Sequence, residues 1–386
     1  MSLNLTTFSF PTPTLHGPGG LGKLPEKLAS LGVLRPLVVT DGGLVHTDAF
    51  RMLAAVLGEA SRGTAWHVFS GVHPNPVEAD VIDGARIYRE RDCDGIVAFG
   101  GGSALDVGKA IRLLIKRPEL KLGEFRFQDD WRGLAPCVCV PTTAGTGSEV
   151  GRSSVITLAA TGRKAVLFHP ELLADFVILD PQVTVGLPSK LTAATGIDAL
   201  THCIESYTCP TFHPMCDGVA LEGIHLISRS LERACSNGGD LEARGQMLAA
   251  AAMGAVAFQK DLGATHSLAH PLSTIFGMHH GLANALCLPF VMEFNSQKLP
   301  GLYRRIAIAC GLDVARRTDA EADALAIQWV RDLLGKVGIE LGLKRHGVNP
   351  DRLEDLVAQA VDDPCHKTNP VPVAAGDLRG LYLKAM

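Results

Sequence analysis

The feature of this sequence that most constrains its fold is an alternation of strand-like and helix-like segments that stops near the middle of the chain. In the first half, short runs rich in apolar and β-branched residues, such as GIVAFG at 95–100, alternate with amphipathic helical stretches. This alternation predicts βαβ units on a parallel sheet. From Lys190 onward the segments are Ala- and Leu-rich and are broken by Gly and Pro. The sequence therefore predicts an α/β domain over 1–184 and an all-helical domain over 185–386.

Size and charge narrow the class of function. A chain of 386 residues exceeds the roughly 250 to 300 residues at which single hydrophobic cores stop growing, which favours two domains. The net charge of −4 is spread without a basic face or an acidic tail, so we expect a small-molecule partner and no nucleic acid or membrane. Ten cysteines without a C-x-x-C pair are typical of a reduced cytoplasmic protein. The first fourteen residues lack the basic and apolar regions of a signal peptide.

A glycine-rich turn stands between a predicted buried strand and a predicted helix, in IVAFGGGSALDVGKA. The backbone N–H groups of Gly101 and Gly102, added to the helix N-terminus, suit a diphosphate. Ser103 and Asp106 form an S-x-x-D pattern, which predicts that they cap this helix. Leu105 stands where G-x-G-x-x-G requires its third glycine, so the turn by itself fits a tight connection without a ligand equally well.

Two further polar clusters follow predicted strands. Asp41 ends the first clear strand, where a carboxylate can bind an adenosine ribose and repel the 2′-phosphate of NADP, although a plain turn aspartate fits T-D-G-G better locally. PTTAGTGSEV follows the CVCV strand and offers the hydroxyls of Thr142 and Thr143, which suit ribose or phosphate as well as a solvated turn. Because open α/β sheets bind ligands at the carboxyl ends of their strands, the three clusters together favour a nucleotide site.

The second half carries the strongest chemical pattern. Asp198 and His202 stand four residues apart in a helical context, which places both side chains on one helix face. A single histidine is more often structural than ligating, but an Asp/His pair with clustered imidazoles predicts a divalent-metal site. A later segment supplies the four clustered histidines: His266, His270, His279 and His280.

The spacing does not decide which of these histidines bind. His266 and His270 form their own i,i+4 pair, which competes with the combination of His266 and His280. One carboxylate with three imidazoles suits Fe²⁺, Zn²⁺, Co²⁺ and Ni²⁺ about equally, and the affinity order favours zinc over iron. The residues therefore predict a metal site and leave both its ligands and its metal open.

The chain resembles the iron-containing alcohol dehydrogenase family over nearly its whole length. The resemblance implies a Rossmann-like N-terminal domain, an all-helical C-terminal domain, and metal-dependent hydride transfer between NAD(H) and a small primary alcohol or hydroxy acid. It also implies Fe²⁺, with Zn²⁺ or another divalent ion as alternatives, and the large apolar helical domain favours a homodimer or a higher homo-oligomer. The motifs that carry it are PNP at 74–76, GGGSALDVGKA at 100–110, PTTAGTGSE at 141–149, GIDALTHCIESY at 196–207, and HSLAHPLS with HHGLANA at 266–285.

Position by position, the resemblance implies a role for each candidate residue. It makes His270 a proton relay near the substrate, and it connects Asp41 with the adenosine ribose and hence with NAD. Lys164 is implied to lie near the cofactor ribose, although its local sequence fits a solvated loop lysine. The implied metal ligands are Asp198, His202, His266 and His280. The implied cofactor-binding residues are Asp41, Asn75, Gly101, Gly102, Ser103, Asp106, Thr142, Thr143 and Lys164.

Within the family, the segments DDPCHKTNP and FQKDLGATHS are similar to those of 4-hydroxybutyrate dehydrogenases. Lys260, His366 and Lys367 would then offer positive charge to a distal carboxylate, although such residues are more often merely solvated. Two rival functions are a metal-dependent lyase related to dehydroquinate synthase and a metal- or nucleotide-binding regulatory module. The scarcity of Lys and Arg around the motifs argues against the lyase, and net NADH formation would separate the dehydrogenase from both.

Overall fold

The computed structural model describes residues 12–60 and 65–386. These residues form two compact units that divide between Leu187 and Pro188. The N-terminal segment on which the signal-peptide prediction depends lies almost entirely outside the described residues. Within the described part of the chain, no helix combines the length and the hydropathy needed to cross a bilayer.

The first unit is built on six parallel strands. The strands of this unit are β1 (Thr14–His16), β2 (Pro36–Asp41), β3 (His67–Val72), β4 (Gly95–Gly100), β5 (Cys137–Pro141), β6 (Ser153–Thr157), β7 (Lys164–Phe168) and β8 (Phe176–Leu179). Its helices are α1 (Leu24–Ser30), α2 (Asp48–Ala60), α3 (Glu78–Glu90) and α4 (Gly102–Lys116). The sheet order is β1-β8-β5-β4-β2-β3, and every pairing in it is parallel. The predicted α/β fold is therefore confirmed.

The apolar content of the central strands explains their position. In β4 and β5 every residue is buried, because helices cover both faces of a parallel sheet. The segments IVAF and CVCV accordingly read as continuous apolar runs without alternation. These strands end at Gly100 and Pro141, which pair with each other and bring the two following turns to one edge of the sheet.

One element pair was not predicted. Strands β6 and β7 form an antiparallel hairpin in which Thr157 pairs with Lys164. Neither SSVIT nor KAVLF alternates apolar and polar residues, so the two-residue period of a half-buried strand is absent from both sequences. Lys164 consequently begins a strand, and its assignment to a solvated loop from local sequence is wrong.

The second unit contains helices and no strand among its described residues. Its helices are α5 (Ser189–Thr208), α6 (Pro214–Ser236), α7 (Leu241–Ala257), α8 (Ala264–Phe276), α9 (His280–Lys298), α10 (Arg304–Ala309), α11 (Asp319–Lys336), α12 (Leu353–Asp362) and α13 (Ala375–Ala385). Helix α5 packs against α6, α7 and α9, and α9 also packs against α8. Helix α8 ends at Phe276, and the following Gly277 has a φ of 64°, the left-handed conformation that commonly terminates a helix.

A glycine allows α9 to begin directly against α5. A Cβ atom on Gly281 would lie 2.1 Å from the carbonyl oxygen of Ala194, so only glycine fits this approach. Ala194 precedes Asp198 by one helical turn, and Gly281 follows His280. The close contact therefore brings the side chains of Asp198 and His280 to the same place.

Candidate active site

Four potential metal ligands converge in the helical unit. Helix α5 supplies two of them one turn apart, and the first turns of α8 and α9 supply one each. Their ligand atoms all lie within 4.8 Å of one another, and three of the four side chains are buried. This metal cluster consists of Asp198, His202, His266 and His280.

The electrostatics of the metal cluster favour a cation. Burial by itself raises the pKa of Asp198, but the facing imidazoles of His202, His280 and His266 lower it to about 2. A buried carboxylate that stays ionised and the imidazole nitrogens beside it together form a set of donor atoms suited to a divalent transition-metal ion. The residues present therefore fit the metal that the sequence predicts.

Glu205 orients one of the imidazoles. His266 Nδ1 donates a hydrogen bond to Glu205 Oε2 over 2.6 Å, which orients the ring so that Nε2 is the nitrogen available to a metal. The carboxylate also accepts hydrogen bonds from the backbone N–H groups of Gly263 and Thr265, so it is held at the start of α8. Burial raises the pKa of Glu205, but His266 and Thr265 lower it below its ordinary value.

Asn284 completes the environment of the metal cluster. Its Nδ2 donates to Asp198 Oδ1 over 2.7 Å and lies 3.2 Å from Nε2 of both His266 and His280. The side chain is fully buried, and its Oδ1 has no hydrogen-bond partner among the described residues. One amide group therefore contacts three of the four potential ligands.

His270 belongs to a neighbouring group. Its Nδ1 donates to Asp363 Oδ2 over 2.7 Å, and its ring stacks on that of His280 with centroids 5.3 Å apart. His279 is exposed immediately before α9. Of the histidines that spacing left in competition, His266 and His280 thus share the metal cluster, whereas His270 faces Asp363 beside it.

Sequence reasoning missed Glu205, Asn284 and Asp363. Glu205 follows Asp198 by seven residues and Asn284 follows His280 by four, so helical periodicity places each on the face of a predicted ligand. That signal was available in the sequence. Asp363 lies 93 residues from its partner His270, and no local pattern connects the two.

The glycine-rich turn of the first unit lies beside the threonine segment that follows β5. A Cβ atom on Gly102 would lie 2.7 Å from Thr146 Cγ2, and one on Gly101 would lie 3.5 Å from Thr143. Thr142 N–H donates to the carbonyl oxygen of Gly100 over 2.9 Å. Two of the three predicted nucleotide-binding clusters are therefore adjacent.

The predicted capping role of Ser103 and Asp106 is wrong. The helix begins at Gly102 with Gly101 as its N-cap, so Ser103 is already inside the first turn and its Oγ donates to the Pro74 carbonyl oxygen over 2.6 Å. Asp106 accepts hydrogen bonds from Ser148 Oγ and from the Val155 N–H. Contacts with distant loops prevail here over a local cap, and they connect the PNP turn and the threonine segment with α4.

Asp41, Asn75 and Lys164 occupy different settings in the first unit. Asp41 Oδ1 accepts from the N–H groups of Gly43 and Leu44, both at 2.9 Å, so this oxygen forms the plain turn that the local sequence favours. The other carboxylate oxygen is outside these bonds. Asn75 is exposed in the PNP turn. Burial lowers the pKa of Lys164, and nearby Asp106 partly offsets this.

Lys260 does not provide free positive charge. Its side chain is 3% exposed, and its Nζ donates to Asp217 and to the carbonyl oxygen of Tyr207. Lys367 is exposed, and His366 is half-buried. The suggestion that Lys260 reads a substrate carboxylate is therefore wrong, because its charge is already neutralised inside the helical unit.

Known proteins resemble this chain over nearly its whole length. Residues 11–181 match the model described as iron-containing alcohol dehydrogenase, and residues 192–386 match that of the Fe-containing alcohol dehydrogenase family, C-terminal. The chain is 38% identical to a 4-hydroxybutyrate dehydrogenase of Cupriavidus necator, covering 95% of this chain and 96% of the relative. It is 31% identical to an NAD-dependent methanol dehydrogenase of Bacillus methanolicus, covering 99% and 100%. The crystal structure of a 1,3-propanediol oxidoreductase superposes with a TM-score of 0.94 at 33% identity, covering 99% and 100%.

Proposed function

This chain belongs to the iron-containing alcohol dehydrogenase family, and we propose that it moves hydride between NAD(H) and a small primary alcohol or hydroxy acid, using a divalent ion bound at the metal cluster. The observation that carries the proposal is the convergence of one carboxylate and three imidazoles within 4.8 Å. Fe²⁺ is the ion that the family description favours, and Zn²⁺ suits the same donors.

Residues around the metal cluster position its ligands and transfer the proton, while the ion stabilises charge. When bound, a divalent ion supplies a Lewis acid that stabilises negative charge on the substrate oxygen. Glu205 and Asn284 hold the ligands in place through hydrogen bonds. We assign proton exchange between the substrate and solvent to His270, because its side chain is hydrogen-bonded to Asp363 and partly exposed.

The cofactor proposal rests on the first unit. The relative named an NAD-dependent methanol dehydrogenase supports NAD as the cofactor. Backbone N–H groups at Gly101 and Gly102, at the start of α4, suit the diphosphate. Thr142 and Thr143, which follow β5, offer hydroxyls at the same sheet edge as Asp41, and we propose these residues as the nucleotide site.

Replacing Glu205 with glutamine is expected to weaken metal binding by about 10- to 100-fold. The glutamine keeps one acceptor oxygen, but its amide N–H₂ group then faces the N–H donors that now bind the carboxylate. The measurement is a competition titration of Co²⁺ or Zn²⁺ against a chelator. Glu222→Gln, an exposed change on α6, is the matched control and is expected to bind as the unaltered protein does. Equal affinities in the two variants would contradict the positioning role.

Replacing Asp41 with glycine is expected to raise the relative use of NADP by about tenfold, or 1.4 kcal/mol, because a carboxylate that repels the 2′-phosphate is removed. Asp41→Asn keeps an acceptor for the Gly43 and Leu44 N–H groups, so it separates the loss of charge from the loss of the turn. The quantity compared is the NAD/NADP ratio of kcat/KM. Asp83→Asn, exposed on α3, is the control. A ratio that stays constant in both Asp41 variants would rule out the assignment.

The substrate class is tested with a panel of short aldehydes that includes succinic semialdehyde. NADH oxidation by the metal-loaded enzyme is expected with small aldehydes, and the 4-hydroxybutyrate dehydrogenase relative supports a preference for succinic semialdehyde. If the positive charge of Lys367 binds the carboxylate of succinic semialdehyde, Lys367→Ala raises KM for this substrate and leaves KM for an uncharged aldehyde unchanged. An absence of NADH oxidation with every aldehyde, despite bound NADH, would overturn the proposed function.

A further inference from the structure

A second group of metal-binding side chains lies beside the metal cluster in the helical unit. This second cluster consists of His270, Asp363 and Cys365, whose ligand atoms all lie within 4.8 Å of one another. All three residues are partly exposed, so an ion from solvent can reach them. The proposed proton relay uses His270 and Asp363 but gives Cys365 no role.

The donor set selects a class of ion. An imidazole nitrogen, a carboxylate oxygen and a thiolate sulfur suit Zn²⁺ or Co²⁺, whereas Mg²⁺ and Ca²⁺ prefer oxygen ligands throughout. Bond lengths of about 2.0 to 2.3 Å in a tetrahedral zinc site place ligand atoms roughly 3.5 Å apart. Small side-chain rotations therefore close the second cluster around one ion. Three protein ligands leave a fourth position for water.

The surrounding contacts preorganise the second cluster. Asp363 Oδ1 accepts from Ser267 Oγ over 2.8 Å and from the Cys365 N–H over 2.9 Å. Asp363 Oδ2 accepts from His270 Nδ1 over 2.7 Å. Burial and the adjacent Asp363 carboxylate raise the pKa of the Cys365 thiol, which keeps it protonated without a metal. Metal binding then replaces two protons, one from His270 Nδ1 and one from Cys365 Sγ, and both pass to solvent.

We propose that His270, Asp363 and Cys365 form a second site for Zn²⁺, weaker than the metal cluster, and that an ion bound there inhibits turnover by immobilising His270. The site is weaker because it offers three protein ligands in place of four. The inhibition rests on the proposed function, since it requires His270 to relay protons. The binding of zinc at the second cluster does not depend on the proposed function.

Binding is tested with Co²⁺ in protein whose metal cluster already holds one equivalent. A second equivalent is expected to produce the near-ultraviolet thiolate-to-cobalt absorption band, because only the second cluster contains a sulfur ligand. The band should vanish in Cys365→Ser and persist in Cys310→Ser, a change at another partly exposed cysteine. No band, or a band that survives in Cys365→Ser, would overturn the site.

A second measurement tests the site in the unaltered protein and therefore does not depend on whether a variant folds. Zn²⁺ added beyond the first equivalent is expected to slow alkylation of Cys365, located by peptide mass spectrometry, and to leave alkylation of Cys310 unchanged. Equal alkylation rates of Cys365 with and without zinc would contradict the proposal even if Cys365→Ser failed to fold.

Inhibition is tested by titrating Zn²⁺ into the active holoenzyme. Cys365→Ser is expected to need at least about tenfold more zinc for half-inhibition than Cys310→Ser does. Replacement of the ion in the metal cluster would inhibit both variants equally, and that result would overturn the inhibitory role. If the protein oxidises no alcohol, the proposed function fails, while the cobalt band and the alkylation rates still decide whether the second site exists.

Discussion

Replacing Asp198 with asparagine is expected to remove bound metal and to lower kcat/KM for alcohol oxidation by about 10³-fold or more, equivalent to about 4 kcal/mol of transition-state stabilisation. Asp198 is the one carboxylate of the metal cluster, and its side chain is 2% exposed. The neighbouring imidazoles hold its pKa at about 2, so it is fully ionised at neutral pH. Asparagine keeps the shape and removes the charge. The measurements are metal content per chain and steady-state kinetics.

Asp313→Asn is the matched control for this change. Asp313 is exposed in the helical unit, and its Oδ1 accepts a hydrogen bond from the Ala315 N–H, which asparagine can also accept. Metal content and kcat/KM are expected to stay unchanged in this variant. An Asp198→Asn protein that retained one ion per chain and unaltered kinetics would remove Asp198 from the proposed ligand set.

Replacing His270 with alanine is expected to lower kcat near neutral pH by about 100-fold while the metal content stays unchanged. His270 lies outside the metal cluster, and its hydrogen bond to Asp363 fits the role in proton transfer that we propose for it. His280→Ala, in contrast, is expected to lose both metal and activity. The measurements are kcat at several pH values and metal per chain for each variant.

His279→Ala is the control, since His279 is exposed and adjacent in sequence to His280. It is expected to retain metal and turnover. Equal metal loss in His270→Ala and His280→Ala would contradict the proposal that His280 is a ligand and His270 is not, because His270 would then act as a ligand. Full activity in His270→Ala would remove it from proton transfer.

Much of the fold follows from local sequence patterns. Strands β4 and β5 are continuous apolar runs, and the strand-to-helix alternation is strong enough to predict the parallel sheet. The hairpin of β6 and β7 was missed because neither strand alternates apolar and polar residues. The position of α9 against α5 depends on Gly281, whose contact with Ala194 no helical pattern reveals.

Local sequence patterns likewise predict one part of the candidate site and not the other. The helical spacing of Asp198 and His202 predicts a metal-binding pair, but only tertiary structure or family resemblance separates His280 from His270. Short-range spacing contains the signal for Glu205 and Asn284, since each lies on the helix face of a predicted ligand. Partners that lie far apart in sequence, such as Asp363 and His270, come together only through the packing of helices.

The same limit explains the two wrong assignments of charge and capping. Lys260 appears in sequence as a cation at a helix end, but Asp217 neutralises it from 43 residues away. Ser103 and Asp106 fit a local capping pattern, yet both bond to distant loops. Where a polar side chain has several possible partners, the tertiary structure determines which of them it binds, and a local sequence pattern does not contain that information.

We propose that alcohol oxidation requires both an ion at the metal cluster and a nicotinamide cofactor. The most direct test is to strip the protein of metal, restore Fe²⁺ or Zn²⁺ stepwise under anaerobic conditions, and follow NADH absorbance with a short alcohol or aldehyde at each step. Activity is expected to be absent without metal and to rise in proportion to the ion bound, up to one equivalent per chain. Full activity in the metal-free protein, or no activity with either ion despite measured NADH binding, would overturn the proposed function.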